Sequence, residues 1–483
     1  MAWKGKMTKL DSNRWEISAD HVDGMLTNGI IYTSDSMLSQ TLEDNAPEQV
    51  ANVACLPGIV GSSLAMPDIH WGYGFPIGGV AAVDGNDGSI SPGGIGFDIN
   101  CGVRLIKTNL SEKDAMSKIK ELTDSLYKAV PSGLGSKGSL RIDERTLRNV
   151  LNEGSVWAVE NGYGWEKDLE ATEECGRMPD ASQETVSDKA LKRGMPQLGS
   201  LGSGNHFVEV DVVDEVYDDQ TAKAFGLKEG DVTITVHCGS RGCGHQIATD
   251  YLQVMERYIR ENNVHLPDRQ LACAPLNSSV GAEYYKAMSC GANYAWANRQ
   301  MITHWIRESF QSVFNNSAES LEMDVVYDVS HNIAKMERHS VNGKNMDVLV
   351  HRKGATRAFP AGRSELSARF RNCGHPVIIP GDMSTGTYVL VGKKGALDET
   401  FGSSCHGAGR KMSRSKAIHN IKASDVRNKM NSQNIYLRSG SDEGLQEEAP
   451  ETYKNVSDVV DVVCNAGLTG KVARLRPLSV IKG

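Results

Sequence analysis

The sequence predicts a mixed α/β fold, one large catalytic unit with a β-rich core. Three observations carry that expectation. Valine-rich segments of strand character recur along the chain, and three of them lie against a histidine and a turn. Stretches of helical spacing separate them. No internal repeat, low-complexity tract or linker divides the 483 residues, although length alone would allow about three domains.

Composition narrows the class. Hydrophobic content of 40% and charged content of 23% are ordinary globular values. A formal charge of −8 argues against a nonspecific nucleic-acid coat and leaves room for a local basic groove. The N-terminal residues lack an apolar run of signal-peptide length, and nowhere do about 18 apolar residues stand together, so no membrane span is expected. Ten cysteines without a C-x-x-C pair do not form a disulfide framework. A reducing cytoplasm is the simpler setting.

Along the chain, Met66 to Gly79 carries Asp68 and His70, which a strand would turn to the same side. They either close a turn between themselves or serve a site. Gly93 to Arg104 (GGIGFDINCGVR) is a glycine-loaded turn holding Asp98 and Cys101 three residues apart. Ser111 with Asp114 forms a capping box opening a helix to Ala129, with Ile119, Leu122 and Leu126 at helical spacing. Residues 139–196 are polar and acid-rich, a surface excursion with no visible chemistry. Strands then follow at Phe207–Val213, Val232–Val236 and Val325–Ser330, presenting His206, His237 and His331. Ala282 to Phe314 reads as a core-packed helix, with Gly291 as a point of interruption.

Five residues are candidate metal ligands: Asp98, Cys101, His206, His237 and His331. Taken singly, each has an ordinary structural explanation, such as a buried cysteine or a hydrogen-bonded histidine. Together they suit two metal ions sharing one ligand, and a thiolate such as Cys101 is the natural bridge. Softness alone would select zinc. His406 sits among Cys405, Gly407, Ala408, Gly409 and Arg410, where a bulky phosphate could approach its imidazole. It could attack a nucleotide phosphate or simply hydrogen-bond one, and spacing does not choose. Two stretches, 351–372 and 410–429, carry a cationic excess expected to face a polyanion.

The segments GGIGFDINCGVRL, GSGNHFVEV, HCGSRGCGH, DVSHN, HRKGATRA and SSCHGAGRKMSR, in this order, closely resemble the RtcB family of GTP-dependent RNA ligases of tRNA splicing and RNA repair. The resemblance extends from Met66 to Gly483. It implies one RtcB-like domain spanning residues 1–483, unlike a classical nucleotidyltransferase fold. It also implies two Mn²⁺ ions, one on Asp98, Cys101 and His206, the other on Cys101, His237 and His331. His406 would accept GMP from GTP. Guanylate contacts would come from Asn205, His206, Phe207, Val208, Glu209, His331, Asn332, Pro380, Gly381, Asp382, Met383, Thr387, Gly407, Ala408, Gly409 and Lys482. The substrates implied are RNA 2′,3′-cyclic phosphate or 3′-phosphate ends and 5′-hydroxyl ends, including tRNA halves, with an archease-type activator as a further partner. The family commonly reads Ser-Met-Gly where this chain has Gly381-Asp382-Met383-Ser384, a departure that bears on base and phosphate contacts. The competing functions are a metal-dependent RNA phosphodiesterase, which would not need His406, and a noncatalytic RNA-binding protein, which would not need the metal ligands.

Overall fold

Strands form where valine, isoleucine and threonine dominate, and two large sheets gather most of them. The computed structural model describes residues 2–483. One sheet has seven strands, ordered Thr8–Lys9, Arg14–Ile17, Gly29–Tyr32, Ile59–His70, Ile77–Asp84, Lys344–Lys353 and Asn332–Val341. The other is ordered Val325–Ser330, Gly102–Ser111, Asp231–Cys238, Phe207–Val216, Thr469–Lys482, Thr387–Gly392 and Pro376–Pro380. Tyr436–Ser439 joins this second sheet parallel to Thr469–Lys482.

Alternation sends neighbouring side chains into different cores. Ile378, Val389 and Val391 enter the core beneath the second sheet. Val377, Ile379 and Leu390, one residue out of step, pack with Val80, Val348 and Val350 of the first. This margin of the second sheet is therefore buried on both faces and lies between the two sheets.

The helix expected after Ser111 spans Glu112–Ala129, with the Ser111–Asp114 capping box in place. The second expected helix is longer than its apolar run suggested, Ser279–Phe314, and it continues through Gly291. Glycine lets Ile99 pack closely there: a Cβ would lie 3.1 Å from Ile99 Cδ1. From Ala287 to Thr303 every residue is buried. Such a helix must satisfy its own polar groups, and Asn293, Asn298, Arg299 and Gln300 all hydrogen-bond to surrounding segments.

Residues 139–196, expected at the surface, also reach inward. Leu147, Val150 and Leu151 line one face of the helix Glu144–Glu153 and are fully buried. The excursion also delivers two buried acids: Asp168 accepts from Arg307 at 2.7 and 2.8 Å, and Glu173 pairs with Lys335. Acid-rich composition concealed this because the acids are matched by distant cations. No helix among the described residues is long and apolar enough to cross a membrane.

Candidate active site

Four adjacent strands of the second sheet alternate in direction, so chain ends and chain starts meet at one rim. Val325–Ser330 ends there, Gly102–Ser111 begins, Asp231–Cys238 ends and Phe207–Val216 begins. Register then fixes the neighbours: Gly102 opposes both Ser330 and Cys238, and Phe207 opposes His237. The rim thus collects His331, Cys101 and His206, each one residue outside a strand, and His237, the last residue but one of its own. Asp98 arrives through the turn in which the Cys101 N–H donates to Asp98 O at 3.0 Å.

The donor atoms converge. Cys101 Sγ lies 3.3 Å from His206 Nε2 and 3.2 Å from His237 Nε2. His206 Nε2 is 2.9 Å from Asp98 Oδ2, and His237 Nε2 is 3.2 Å from His331 Nε2. Two groups capable of holding a metal ion result, Asp98–Cys101–His206 and Cys101–His237–His331, with Cys101 in both. Ligands about 2.0–2.3 Å from one ion in tetrahedral geometry stand roughly 3.3–3.7 Å apart, close to these separations.

Electrostatics favour a cation in the same place. Burial pushes the Cys101 thiol up to about 12, and the Asp98 charge adds to the effect. Burial pushes His237 well down, and any proton gained by the neighbouring His206 and His406 imidazoles adds to the effect. Burial, His406 and His237 do the same to His331. Burial also works against the Asp98 charge, but the His206 hydrogen bond and charge, with Cys101 and the Ser240 N–H, bring it to about 2. Two imidazoles held neutral, a carboxylate and a buried thiol form a donor set. Against the effect of burial, Cys238, Cys101 and Asp98 raise His206 well above its ordinary value, and it would give up a proton to a metal ion.

The turn bearing these groups is held from behind. Asn100 adopts a left-handed backbone at φ 52°, uncommon for a residue with a side chain. Its Nδ2 donates to Ala292 O at 2.7 Å, while Arg299 donates to both Asn100 O and Cys238 O at 2.8 Å. The long helix therefore clamps the residues next to Cys101 and His237.

His406 follows the short strand Ser403–Cys405. Its Nδ1–H donates to Asp68 Oδ2 at 2.6 Å, and its own N–H donates to the same oxygen at 3.0 Å. Nε2 is left with the lone pair. Asp68 is fully buried near the end of Ile59–His70, and Lys454 donates to the carbonyls on both sides of it, Pro67 at 3.1 Å and Ile69 at 2.6 Å. Asp68 and His70 do face the same loop, since His70 Nδ1 lies 3.4 Å from Arg410 N. Gly409 has φ +72°, and a Cβ there would stand 2.2 Å from Asp68 O, so only glycine admits this approach. The His406 ring centre is 4.9 Å from that of His331.

Both groups open on a cavity of ≈ 850 Å³. Asp98, Cys101, His237, His331, Asn332 and His406 line it, as do Asn205, Phe207 and Glu209. Pro380 to Met383, Gly407 to Gly409 and Lys482 complete the sequence-derived set on its wall. Three expected residues are absent from that wall. Val208 lies between Phe207 and Glu209 on a strand, so parity turns it into the core. Thr387 is fully buried at the start of its strand, its hydroxyl without a partner. His206 is part of a metal-capable group without itself lining the cavity. Asp382 spends its carboxylate on its own loop, accepting from the Ser384 N–H and hydroxyl at 2.8 and 2.6 Å and from the Thr385 hydroxyl at 3.0 Å.

Register brings the tail of the chain here. Lys482 opposes Phe207, and its ammonium lies 5.4 Å from the Phe207 ring centre. Burial lowers the Lys482 pKa, against the pull of Glu448 and Glu209. Glu448, which sequence reasoning did not single out, is buried and gathers Arg410 at 3.0 Å, Lys482 at 3.5 Å and Arg414 at 3.7 Å.

The two basic stretches part company. Arg352 is fully buried, donating to Glu337 at 2.6 and 2.9 Å and to Ser403 Oγ at 2.8 Å. Arg357 is also buried and pairs with Glu174 at 2.5 Å. The expectation that 351–372 lines a polyanion groove is thus wrong for these two, whose charges are consumed internally. In the second stretch Arg410, Lys411, Arg414 and Lys416 all line the cavity.

Comparison with known proteins agrees with the geometry. The family model "RtcB: tRNA-splicing ligase RtcB" matches residues 49–483. A protein named tRNA-splicing ligase RtcB from Methanococcus maripaludis is 54% identical over 480 residues, 99% of this chain and 100% of its own. Its namesake from Thermococcus kodakarensis is 55% identical over 477 residues, 99% of each chain. That from Archaeoglobus fulgidus is 53% identical over 483 residues, covering both chains fully.

Proposed function

The chain belongs to the RtcB family of tRNA-splicing ligases and is an RNA ligase; from that premise we propose that it joins RNA 2′,3′-cyclic phosphate or 3′-phosphate ends to 5′-hydroxyl ends, using GTP and Mn²⁺ through a covalent histidine–GMP. The observation that carries this reading is a single one. An imidazole oriented by a buried carboxylate shares one cavity with two metal-capable groups.

In the proposed sequence, water first opens a cyclic end to a 3′-phosphate. His406 Nε2 attacks the α-phosphorus of GTP, an N–P bond forms, and pyrophosphate leaves with the bonding pair. Asp68 keeps the proton on Nδ1 and faces the positive charge that the ring acquires. An oxygen of the RNA 3′-phosphate then displaces His406, giving an RNA 3′-diphosphate-linked guanosine. The 5′-hydroxyl oxygen attacks the RNA phosphorus, its proton passes to solvent, and GMP leaves. A phosphate monoester lacks a good leaving group, and guanylylation provides one. Asp98, Cys101 and His206 would hold one Mn²⁺, and Cys101, His237 and His331 a second, supplying positive charge against the phosphoryl oxygens.

Phe207, Glu209, Lys482 and the Gly407–Gly409 turn would enclose the guanosine, while Arg410, Lys411, Arg414 and Lys416 would meet RNA phosphates. We treat residues 1–483 as one catalytic unit, because residues from Gln40 to Lys482 line a single cavity. The resemblance alone adds an archease-type activator. Ten unpaired cysteines suit a reducing cytoplasm. A phosphodiesterase would leave the Asp68–His406 pair without a task.

The test is incubation with α-labelled GTP and Mn²⁺. Wild type should form an acid-labile, alkali-stable GMP adduct. His406→Ala should bind metal normally and form none, yet still seal an RNA already carrying the 3′-diphosphate-linked guanosine. A persistent adduct in His406→Ala would remove the proposed nucleophile, and full sealing of 3′-phosphate RNA without any adduct would remove the covalent route.

A further inference from the structure

The rim of the cavity carries one side chain that the proposed chemistry does not use. Trp71 is 50% exposed, and each of the other six tryptophans is buried or half-buried. It immediately follows the strand Ile59–His70, three residues beyond Asp68, a span of at most about 11 Å. Its loop is fixed. The Trp71 N–H donates to Asp44 Oδ2 at 3.0 Å, and the next residue's N–H to Gln49 Oε1 at 3.0 Å. Gln49 Nε2 returns to Gly72 O at 2.7 Å and Gly74 O at 3.0 Å. Among the described residues the indole packs on no other ring and under no cation. A pinned backbone thus holds a bare aromatic face on the wall of a nucleotide-sized cavity.

Charge on the same wall narrows what that face would take. Lys411 and Lys416 are exposed cavity residues that form no ion pair among the described residues. Beside the Trp71 backbone the wall also carries acids, Asp44, which accepts from the Trp71 N–H, and its sequence neighbour Glu43. Phosphates would therefore run along the lysines, and the neighbourhood of Trp71 would favour a flat group that donates N–H bonds. Aromatic faces combined with a cationic track are how single-stranded nucleic acid is held without regard to sequence.

We propose that Trp71 is the stacking platform for a nucleobase of the single-stranded RNA end that enters the cavity. This rests on the ligase reading and extends it from RNA phosphates to an RNA base. Trp71 is a binding residue, separate from the guanylate contacts and from His406.

The experiment uses the full chain and a short 3′-phosphate oligoribonucleotide, intact or with one abasic sugar placed at successive positions from the end. Binding is measured by fluorescence anisotropy. Trp71→Ala should weaken binding of the intact strand roughly 5- to 150-fold, the range for losing one base–aromatic stack. Trp71→Phe should recover most of it, and melting temperatures should match because the replaced ring is half in water. One abasic position should weaken binding to wild type yet add nothing in Trp71→Ala. Equal binding by wild type and Trp71→Ala overturns the inference, and would leave this tryptophan to a protein partner. Abasic losses that add to Trp71→Ala at every position also overturn it. So does a Trp71→Ala effect confined to the GTP concentration needed for adduct formation, which would assign the stacked base to GTP. Wild type that forms no GMP adduct refutes the ligase reading itself. Wild type that forms it while Trp71→Ala binds RNA normally refutes only the platform.

Discussion

Asp68→Asn is the sharpest perturbation of the proposed chemistry, because a single oxygen does three things. Asp68 Oδ2 accepts from His406 Nδ1–H at 2.6 Å, from the His406 N–H at 3.0 Å and from the Gly407 N–H at 3.4 Å. Its other oxygen is buried without a partner. Asparagine has nearly the same shape but no charge. If its carbonyl takes the Oδ2 position, the imidazole keeps its tautomer and loses only a charge-assisted bond. Hydrogen bonds to charged groups contribute about 1.5–3 kcal/mol, so guanylylation slows by roughly 10- to 100-fold. If the amide faces the histidine instead, Nδ1 must accept, the proton moves to Nε2, and the attacking lone pair is gone. The corresponding inversion in a Ser-His-Asp triad costs about 10⁴ in rate. The expected loss therefore lies between about 10- and 10⁴-fold in the single-turnover rate of adduct formation at saturating GTP. Metal content should not change, because Asp68 belongs to neither metal-capable group. A wild-type rate in Asp68→Asn would refute the idea that the carboxylate orients His406, and a parallel loss of metal would reduce the effect to structure.

Three further outcomes follow from where charge is exposed and where it is buried. Arg414→Glu should weaken RNA binding and reduce the salt slope by about one counterion, measured as log affinity against log salt. Arg352→Ala should leave that slope unchanged and instead lower stability by about 3–5 kcal/mol in denaturant melts, since it strips a buried Glu337 of its partner. Glu173 has its pKa lowered to about 2, because Lys335 and Arg357 outweigh the opposing effect of burial. A carboxyl depressed on folding stabilises above its unfolded value, about 4.3, and that contribution disappears as pH falls toward 2. Glu173→Gln should therefore flatten the dependence of unfolding free energy on pH between about 4.3 and 2, and an unchanged slope there would contradict the pairing.

What the sequence disclosed follows from how local each signal is. The strand-end histidines were legible because valine alternation marks the strands and the histidine terminates or precedes each run. The Asp98–Cys101 turn was legible because its glycines stand within a dozen residues. The Asp68–His406 pair was not, since its members, each noticed singly, are 338 residues apart and nothing in the sequence joins them. Arg352 was misread by counting charge without parity. Val348 and Val350 are in the core, so Arg352, two residues on, shares their buried face, where Glu337 on the adjacent strand meets it. Glu448 gave no signal in either periodicity or motif, as its role exists only once Arg410, Arg414 and Lys482 are folded around it.

The site depends on how two sheets are joined. Asp68 belongs to the seven-stranded sheet, whereas Cys101, His206 and His237 cluster at the rim of the other. His406 answers to both, bonded to Asp68 and ring-against-ring with His331. The distance from His406, the proposed nucleophile, to the metal-capable groups is therefore a distance between sheets, and catalytic groups tolerate only about 0.5 Å of error. His331 is the single residue between Val325–Ser330, in one sheet, and Asn332–Val341, in the other. That junction is stitched on both sides. The His331 N–H donates to Cys101 O at 2.9 Å, and the Asn100 N–H to Asn332 O at 2.6 Å. Asn332 Nδ2 donates to Asp98 O at 3.1 Å, while its Oδ1 accepts from the Gly354 N–H at 2.9 Å. Backbone and side-chain bonds thus tie the turn that supplies Asp98 and Cys101 to the point where the chain crosses between sheets. The same residues that would bind the metals set the registry between the sheets, so docking of the sheets and alignment of His406 are one structural event.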